Sequence, residues 1–142
     1  MEKLNQVVFY AIDKAIKSYR QMAQKNINKH GLDITIDQWL LLTSLRNNPD
    51  ATQQQIAEAV FKDYASITRM IEILVQKQII VRHFHPDDRR RSYLEITSKG
   101  LDVLTAIDPV IQANRSQALD GILDAEIEQV KTVLQKIASN CK

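Results

Sequence analysis

The chain has few residues of several kinds, and each shortage excludes a class of protein. One cysteine in 142 residues, Cys141, rules out an internal disulfide framework and is compatible with a reducing compartment. Three glycines and three prolines are too few for a fibrous or disordered chain and for a turn-rich β-sandwich. No apolar run approaches the roughly 20 residues of a membrane span, and polar residues interrupt residues 1–19, unlike a signal peptide. We therefore expect a soluble cytoplasmic protein without membrane partners.

The net charge of +2 is too small to indicate nucleic acid by itself, but its distribution is informative. Residues 52–99 contain eight basic and six acidic side chains, whereas the flanking segments contain eleven of each. Four arginines of this middle segment, Arg82, Arg89, Arg90 and Arg91, fall within ten residues. A phosphate-binding surface, if the protein has one, is expected there.

Helical periodicity covers most of the chain, which is long enough for one domain with a sizeable core. Apolar residues recur at helical spacing from Leu4 to Met22 and predict a long first helix, with Gly31 as its left-handed cap. Thr35-x-x-Gln38 and Thr52-x-x-Gln55 have the spacing of capping boxes and predict the starts of a second and a third helix. Asp63 is a suitable N-cap for a fourth.

Two short segments after the fourth helix change to a β pattern. Residues 79–85 are rich in β-branched side chains, and residues 93–97 alternate with period two. Pro86-Asp87-Asp88 marks a turn between them, and three arginines follow that turn. The pattern predicts a two-stranded hairpin with a charged tip.

The rest of the chain returns to helical spacing. Thr97 is the expected N-cap of a fifth helix with a kink at Asp108-Pro109, and Gly121 ends that helix. Asp124 then begins a sixth, amphipathic helix. The predicted fold is mainly α with a small β-hairpin, in the order four helices, hairpin, two helices.

This order is typical of a winged helix-turn-helix. The second helix of the pair fits the DNA major groove, and an arginine-tipped hairpin reaches the negative potential of the adjacent minor groove. In the fourth helix, one face is apolar and holds the helix to the body, while the polar face is free to read bases or bind phosphates. The candidate DNA contacts are Gln53, Gln54, Tyr64, Ser66, Thr68, Arg69, Arg89, Arg90 and Arg91.

The stretch from Thr52 to Gly100 resembles the MarR family of bacterial transcriptional regulators. Residues 87–100 are its most specific part and are similar to the family's wing signature, Asp-x-Arg, a strand, Leu/Ile-Thr and then x-x-Gly. Residues 65–71 resemble the recognition-helix run, and residues 53–57 resemble the supporting helix. Residues 121–127 match the usual start of the last helix, so the resemblance covers nearly the whole chain in order and spacing.

The resemblance implies one domain over residues 1–142, in which residues 1–30 and 101–142 form dimerisation helices beside a winged helix-turn-helix at residues 35–100. It implies a homodimer that binds an inverted repeat in double-stranded DNA, most often as a repressor. It also implies a small-molecule effector between the dimerisation helices and the winged helix, and no cofactor. Arg90 corresponds to the wing arginine that enters the minor groove, and Asp88 to the acid that supports it.

Two residues depart from the family pattern. Gln78 stands where the family usually has glycine, so this turn lacks the residue that most easily adopts a left-handed conformation. Ile73 stands where some members have a basic residue, so one phosphate or base contact is absent. Neither departure affects the expected fold, and neither indicates which operator sequence the protein recognises.

Structural and chemical alternatives remain open for the singled-out residues. The wing arginines and the polar face of the fourth helix are also compatible with solvated surfaces. His83-x-His85 places two imidazoles on one strand face, with acidic residues nearby, but no cysteine or third histidine lies at a metal-ligand spacing. Cys141 is a candidate oxidant sensor, although it lies at a terminus, where chains fray.

Catalysis is not expected, because the sequence has no phosphate-binding glycine loop, no nucleophile in a known setting and no zinc-protease pair. The main alternative function is a winged-helix module that binds proteins without sequence-specific DNA binding. The basic wing and polar recognition face favour DNA, since a protein-binding face would be more apolar. An activator, or a regulator without an effector, also fits the sequence.

Overall fold

Six helices and one antiparallel hairpin form a mainly α winged helix-turn-helix in the computed structural model, which describes residues 1–142. None of the six helices combines the length and the apolar character that a bilayer span requires. The elements are a 3₁₀ turn at Leu4–Gln6, α1 (Val8–Lys29), α2 (Ile36–Asn47), α3 (Gln53–Ala59), α4 (Tyr64–Gln76), β1 (Ile80–His85), β2 (Asp88–Ile96), α5 (Ser98–Ala118) and α6 (Asp124–Asn140).

Both predicted capping boxes are confirmed. The Thr35 hydroxyl accepts the Gln38 N–H at 3.0 Å, and the Gln38 side chain accepts the Thr35 N–H at 3.0 Å. Thr52 and Gln55 repeat this exchange at 3.1 and 2.8 Å. Each box satisfies two backbone donors that a helix start otherwise leaves unpaired, so α2 and α3 begin where the sequence predicts.

The hydrophobic core lies between the helix-turn-helix, the base of the hairpin and the facing halves of α1 and α5. Ile67, Ile71 and Leu74 on α4 are fully buried in it, as the sequence predicts for the inner face of that helix. The other buried apolar residues are Ala23, Ile27, Ile34, Ile36, Leu41, Leu42, Leu45, Ile56, Ala57, Val60, Ile79, Ile80, Leu94, Leu104, Ile107, Val110 and Ile111.

The first helix differs from its prediction in two ways. Leu4 lies in the separate 3₁₀ turn, and the extended backbone of Val7 (φ −85°, ψ 120°) divides that turn from α1. Within α1, only Ala23 and Ile27 are buried. The apolar stripe in the first half of α1 therefore lies mostly exposed in the single chain, and its residues have the predicted helical spacing.

In three helices, the second residue beyond the last helical residue has left-handed backbone. Gly31 takes this conformation (φ 70°), as predicted, but so do Phe61 (φ 59°) after α3 and Gln78 (φ 62°) after α4. At Gln78 the motif is closed by the next residue, Ile79, whose N–H donates to the Leu74 carbonyl at 3.0 Å. This geometry is one that glycine adopts without steric cost and other residues do not.

We expect Gln78→Gly to raise the free energy of unfolding by about 0.5–1 kcal/mol, because relief of the left-handed strain outweighs glycine's greater entropy in the unfolded chain. The Gln78 side chain is exposed, so little packing is lost. Thermal denaturation at fixed protein concentration measures the effect. Glu72→Gly, at an exposed position inside α4, is the matched control and should lower stability by about 1 kcal/mol. A loss of stability in both variants would contradict the strain argument.

The hairpin is confirmed, but its second strand is longer than predicted. Strand β2 begins at Asp88 rather than at Tyr93, because a short turn at Pro86 and Asp87 lets pairing start at once, with His85 opposite Asp88. The ladder is irregular at this end, because Phe84 pairs with Ser92 while His85 pairs with Asp88, and the three arginines between them have no partner on β1. The three arginines nevertheless lie in β2, not in a loop.

Helix α5 extends through Pro109, the position at which the sequence predicts a kink. The preceding residue, Asp108, joins α5 to α2. Its carboxylate accepts hydrogen bonds from Arg46 Nη1 at 2.8 Å and from Trp39 Nε1 at 3.2 Å. The hydrogen bond from Arg46 is the main reason that the pKa of Asp108 lies below its ordinary value of 3.8. This contact ties α2 to α5.

Candidate nucleic-acid interface

Helix α4 has one buried face and one polar face. Its inner side is fully buried, whereas Ser66 and Thr68 are half-buried and Arg69 is exposed. Tyr64, at the first position of the helix, is 54% exposed. The predicted separation between a buried apolar face and a more exposed polar face is therefore present in the structure.

A hydrogen-bonded chain connects the N-cap of α4 to its exposed arginine. The Asp63 carboxylate accepts the Ser66 backbone N–H at 2.7 Å and the Ser66 hydroxyl at 3.1 Å. The Ser66 oxygen in turn accepts from Arg69 Nη2 at 3.4 Å. The hydrogen bond from the Ser66 N–H lowers the pKa of Asp63, so this carboxylate stays charged and supports the chain. Ser66 thus orients Arg69, which keeps four further N–H donors free.

Gln53 and Thr68 are paired across the helix-turn-helix. Gln53 Nε2 donates to Thr68 Oγ1 at 2.6 Å, and Thr68 Oγ1 donates to the Tyr64 carbonyl at 3.0 Å. Gln54 instead lies on the exposed side of α3 and donates to Glu58 at 3.2 Å. The structure therefore brings Gln53 to the recognition helix and leaves Gln54 apart from it.

The hairpin carries three exposed arginines in the first half of β2. The side chain of Arg90 is 96% exposed, its backbone N–H donates to Asp88 Oδ1 at 3.0 Å, and its Nε lies 3.9 Å from the same oxygen. Arg89 and Arg91 make no ion pair with any carboxylate of the chain. Asp88 therefore contacts the backbone and side chain of Arg90, while the three guanidinium groups extend into solvent.

Two imidazoles lie on one face of the hairpin, as predicted. The rings of His83 and Tyr93 are stacked with centroids 5.0 Å apart, and His85 meets the edge of Tyr93 at 6.4 Å. His83 Nε2 is 2.9 Å from a carboxylate oxygen of Glu95. No three histidine, cysteine or acidic side chains come together as a metal site. Cys141 is exposed just beyond the end of α6.

The structure also shows a feature that the sequence analysis missed. A groove of about 420 Å³ lies between the hairpin and the segment that leads into α3, and we call it the wing groove. Its residues come from two distant parts of the chain, the segment before α3 and the hairpin, so no sequence motif could have indicated it. They are Asp50, Thr52, His85, Arg91, Ser92 and Tyr93.

Comparison with known proteins gives consistent results. The sequence profile of the MarR family matches residues 34–92. The HTH-type transcriptional regulator MhqR of Bacillus subtilis is 30% identical over 135 residues, which cover 95% of this chain and 92% of MhqR.

Solved structures show the same fold. BpsR of Bordetella bronchiseptica, studied for the regulation of its DNA binding by 6-hydroxynicotinic acid, superposes with a TM-score of 0.86 at 20% identity, covering 97% of both chains. MepR of S. aureus in complex with DNA superposes with a TM-score of 0.82 at 22% identity, covering 96% of this chain and 97% of MepR.

Proposed function

Since this chain belongs to the MarR family of transcriptional regulators, we propose that it is a homodimeric repressor that binds a pseudo-palindromic operator in the cytoplasm and leaves it when a small molecule binds. DNA binding and transcription regulation follow from the family and its winged helix. The repressor role, the operator symmetry, the dimer and the effector are the proposed parts.

One observation carries the DNA interface in this proposal. The polar face of α4 and the wing arginines are exposed elements of the same winged helix, and the positive charge on the wing has almost no internal partner. Unpaired guanidinium groups next to a capped recognition helix suit a duplex, whose phosphates and minor groove are both negative. The proposed contacts remain Gln53, Gln54, Tyr64, Ser66, Thr68, Arg69, Arg89, Arg90 and Arg91.

The dimer is supported by apolar surface that the chain does not cover. Helix α6 has no buried residue, although it carries an apolar stripe. Apolar side chains at the start of the chain are also exposed. Exposed apolar surface on this scale is typical of an interface between subunits. The exposed residues are Leu4, Val8, Phe9, Ile122, Leu123, Val130, Val133 and Leu134.

We expect a dimer at micromolar concentration in sedimentation equilibrium. Val133→Glu, which places a charge in the stripe of α6, should shift the protein toward monomer because an unpaired charge is costly in an apolar interface. Lys131→Glu, on the exposed surface of the same helix, is the matched control and should leave the mass unchanged. A monomeric wild-type protein would contradict the proposed architecture.

Selection of bound sites from a random duplex library, at near-physiological salt, tests the operator. We expect enrichment of an inverted repeat whose half-sites lie about 10–10.5 bp apart, because two recognition helices of a dimer enter successive major grooves. Binding without enrichment would contradict sequence specificity, and absence of binding would favour a protein-interaction module.

The effector is proposed by analogy with BpsR, whose DNA binding is regulated by 6-hydroxynicotinic acid. A ligand that binds one spacing of the recognition helices better than the other shifts the DNA affinity, typically by about 1–3 kcal/mol. Once the operator is known, screening small molecules for release of the labelled duplex tests this part.

A further inference from the structure

The wing groove lies between two elements of the proposed DNA interface. One wall is the first half of β2, which carries the exposed arginines. The other wall ends at Thr52, the N-cap of α3, and the next residue, Gln53, is hydrogen-bonded to Thr68 on the recognition helix. A duplex that contacts both the wing and α4 therefore has to pass this groove.

The two aliphatic hydroxyl groups of the groove, those of Thr52 and Ser92, are free to act as donors. Thr52 Oγ1 accepts the backbone N–H of Gln55 at 3.1 Å, and Ser92 Oγ accepts from Arg82 Nη1 at 2.9 Å. Neither hydroxyl donates its own proton to an acceptor within the chain. A hydroxyl whose oxygen already accepts a bond has its O–H free for an outside acceptor.

The nitrogen-bearing side chains of the groove also lack polar partners. The side chain of Arg91 makes no hydrogen bond or ion pair within the chain, and the ring of His85 lies edge-on to the ring of Tyr93 with centroids 6.4 Å apart. Asp50, from the segment before α3, faces His85 across the groove. From β2, His85 is faced by Arg91, by Tyr93 and by Asp88, which is the register partner of His85. Two nitrogen donors and two hydroxyl donors thus meet, with one opposing carboxylate, Asp50, in the groove itself.

We propose that the wing groove binds one segment of the DNA sugar–phosphate backbone, with Arg91 and His85 contacting a phosphodiester and Thr52 and Ser92 donating their hydroxyl protons to it. This inference rests on the proposed DNA binding. It adds a phosphate-binding site whose contribution to the affinity does not depend on the base sequence of the duplex. Histidine changes its charge between pH 5 and 8. Since a phosphate favours the protonated imidazole, DNA binding takes up a proton and becomes tighter as the pH falls.

Fluorescence anisotropy with two duplexes, the selected operator and an unrelated sequence, tests the proposal. Arg91→Ala should weaken binding to both by the same factor, about tenfold, and should reduce the slope of log affinity against log salt by about 0.9 per phosphate contact. Lys25→Ala, which removes an exposed charge from α1, is the control for net charge and should change neither quantity. Asp50→Asn should tighten binding about threefold, because it removes the carboxylate that repels the phosphate.

The pH dependence separates His85 from the rest of the protein. Wild-type affinity should rise about fivefold between pH 7.5 and pH 6.0, and His85→Gln should lose most of this rise. His30→Gln, at the end of α1, should keep it. Unchanged binding in Arg91→Ala, Asp50→Asn and His85→Gln, with weaker binding in Arg90→Ala, would overturn the groove assignment and leave the proposed function intact. Failure of the wild-type protein to bind either duplex would overturn both.

Discussion

Replacement of Arg90 by alanine is expected to weaken operator binding by about 1–3 kcal/mol, or roughly 5- to 150-fold, with little change in folding. The side chain is 96% exposed, so the folded protein loses almost no packing with it. Its position at the tip of the wing allows the guanidinium group to enter the minor groove, where a narrow, strongly negative groove attracts arginine. The loss should be larger for the operator than for an unrelated duplex, because groove width depends on sequence.

Three variants make this measurement specific. Arg90→Lys keeps the charge but loses the planar donors, and should bind between the wild type and Arg90→Ala. Asp88→Asn keeps an acceptor for the Arg90 N–H while removing the carboxylate charge, so it should have the smallest effect of the three. Thermal denaturation should give one melting temperature for all of them within error. Unchanged affinity of Arg90→Ala at fixed salt would show that the wing does not reach the duplex.

Local features of the fold could be predicted from sequence because they depend on residues three or four positions apart. The capping boxes at Thr35 and Thr52, the N-cap at Asp63 and the turn at Pro86 are such features, and all are observed. The start of β2 at Asp88 could not be predicted, because the register shift between Phe84 and His85 places the three arginines in an irregular part of the strand, where period-two alternation is lost. Similarly, the left-handed backbone at Phe61 is imposed by the end of α3 and not by the residue type.

The candidate site could be predicted only as a set of residues. Helical spacing indicated that Arg69 is exposed, but its connection to Asp63 through Ser66 is a finding of the structure. The wing groove joins Asp50 to Arg91, and their proximity depends on how the hairpin docks beside α3. Likewise, an apolar stripe predicts a helix that buries one face, but it does not distinguish a face buried within the chain from one buried between subunits.

Replacement of Gly100 by alanine is expected to lower the free energy of unfolding by about 3 kcal/mol. Gly100 is in the first turn of α5, where the helix approaches the start of the hairpin. A Cβ atom there would lie 2.2 Å from the carbonyl oxygen of Ile79 and 2.7 Å from Cγ2 of Ile96. The carbonyl cannot move aside freely, because it accepts the Thr97 N–H at 3.0 Å and the Thr97 hydroxyl at 3.0 Å. Overpacking against fixed backbone therefore has to displace α5 and its cap.

The expected fall in melting temperature is about 10 °C for a chain of this size, measured at fixed protein concentration because dimerisation also affects it. Gly121→Ala is the matched control. Gly121 has a left-handed backbone (φ 77°) but no atom within 4 Å of an added Cβ, so it should show only the strain, about 1 kcal/mol. The difference between the two variants isolates the clash at Ile79. If Gly100→Ala melted as high as Gly121→Ala, the contact between α5 and the hairpin would be softer than these distances imply. The presence of glycine at position 100, the last residue of the wing signature, would then have to be explained by DNA binding and not by packing.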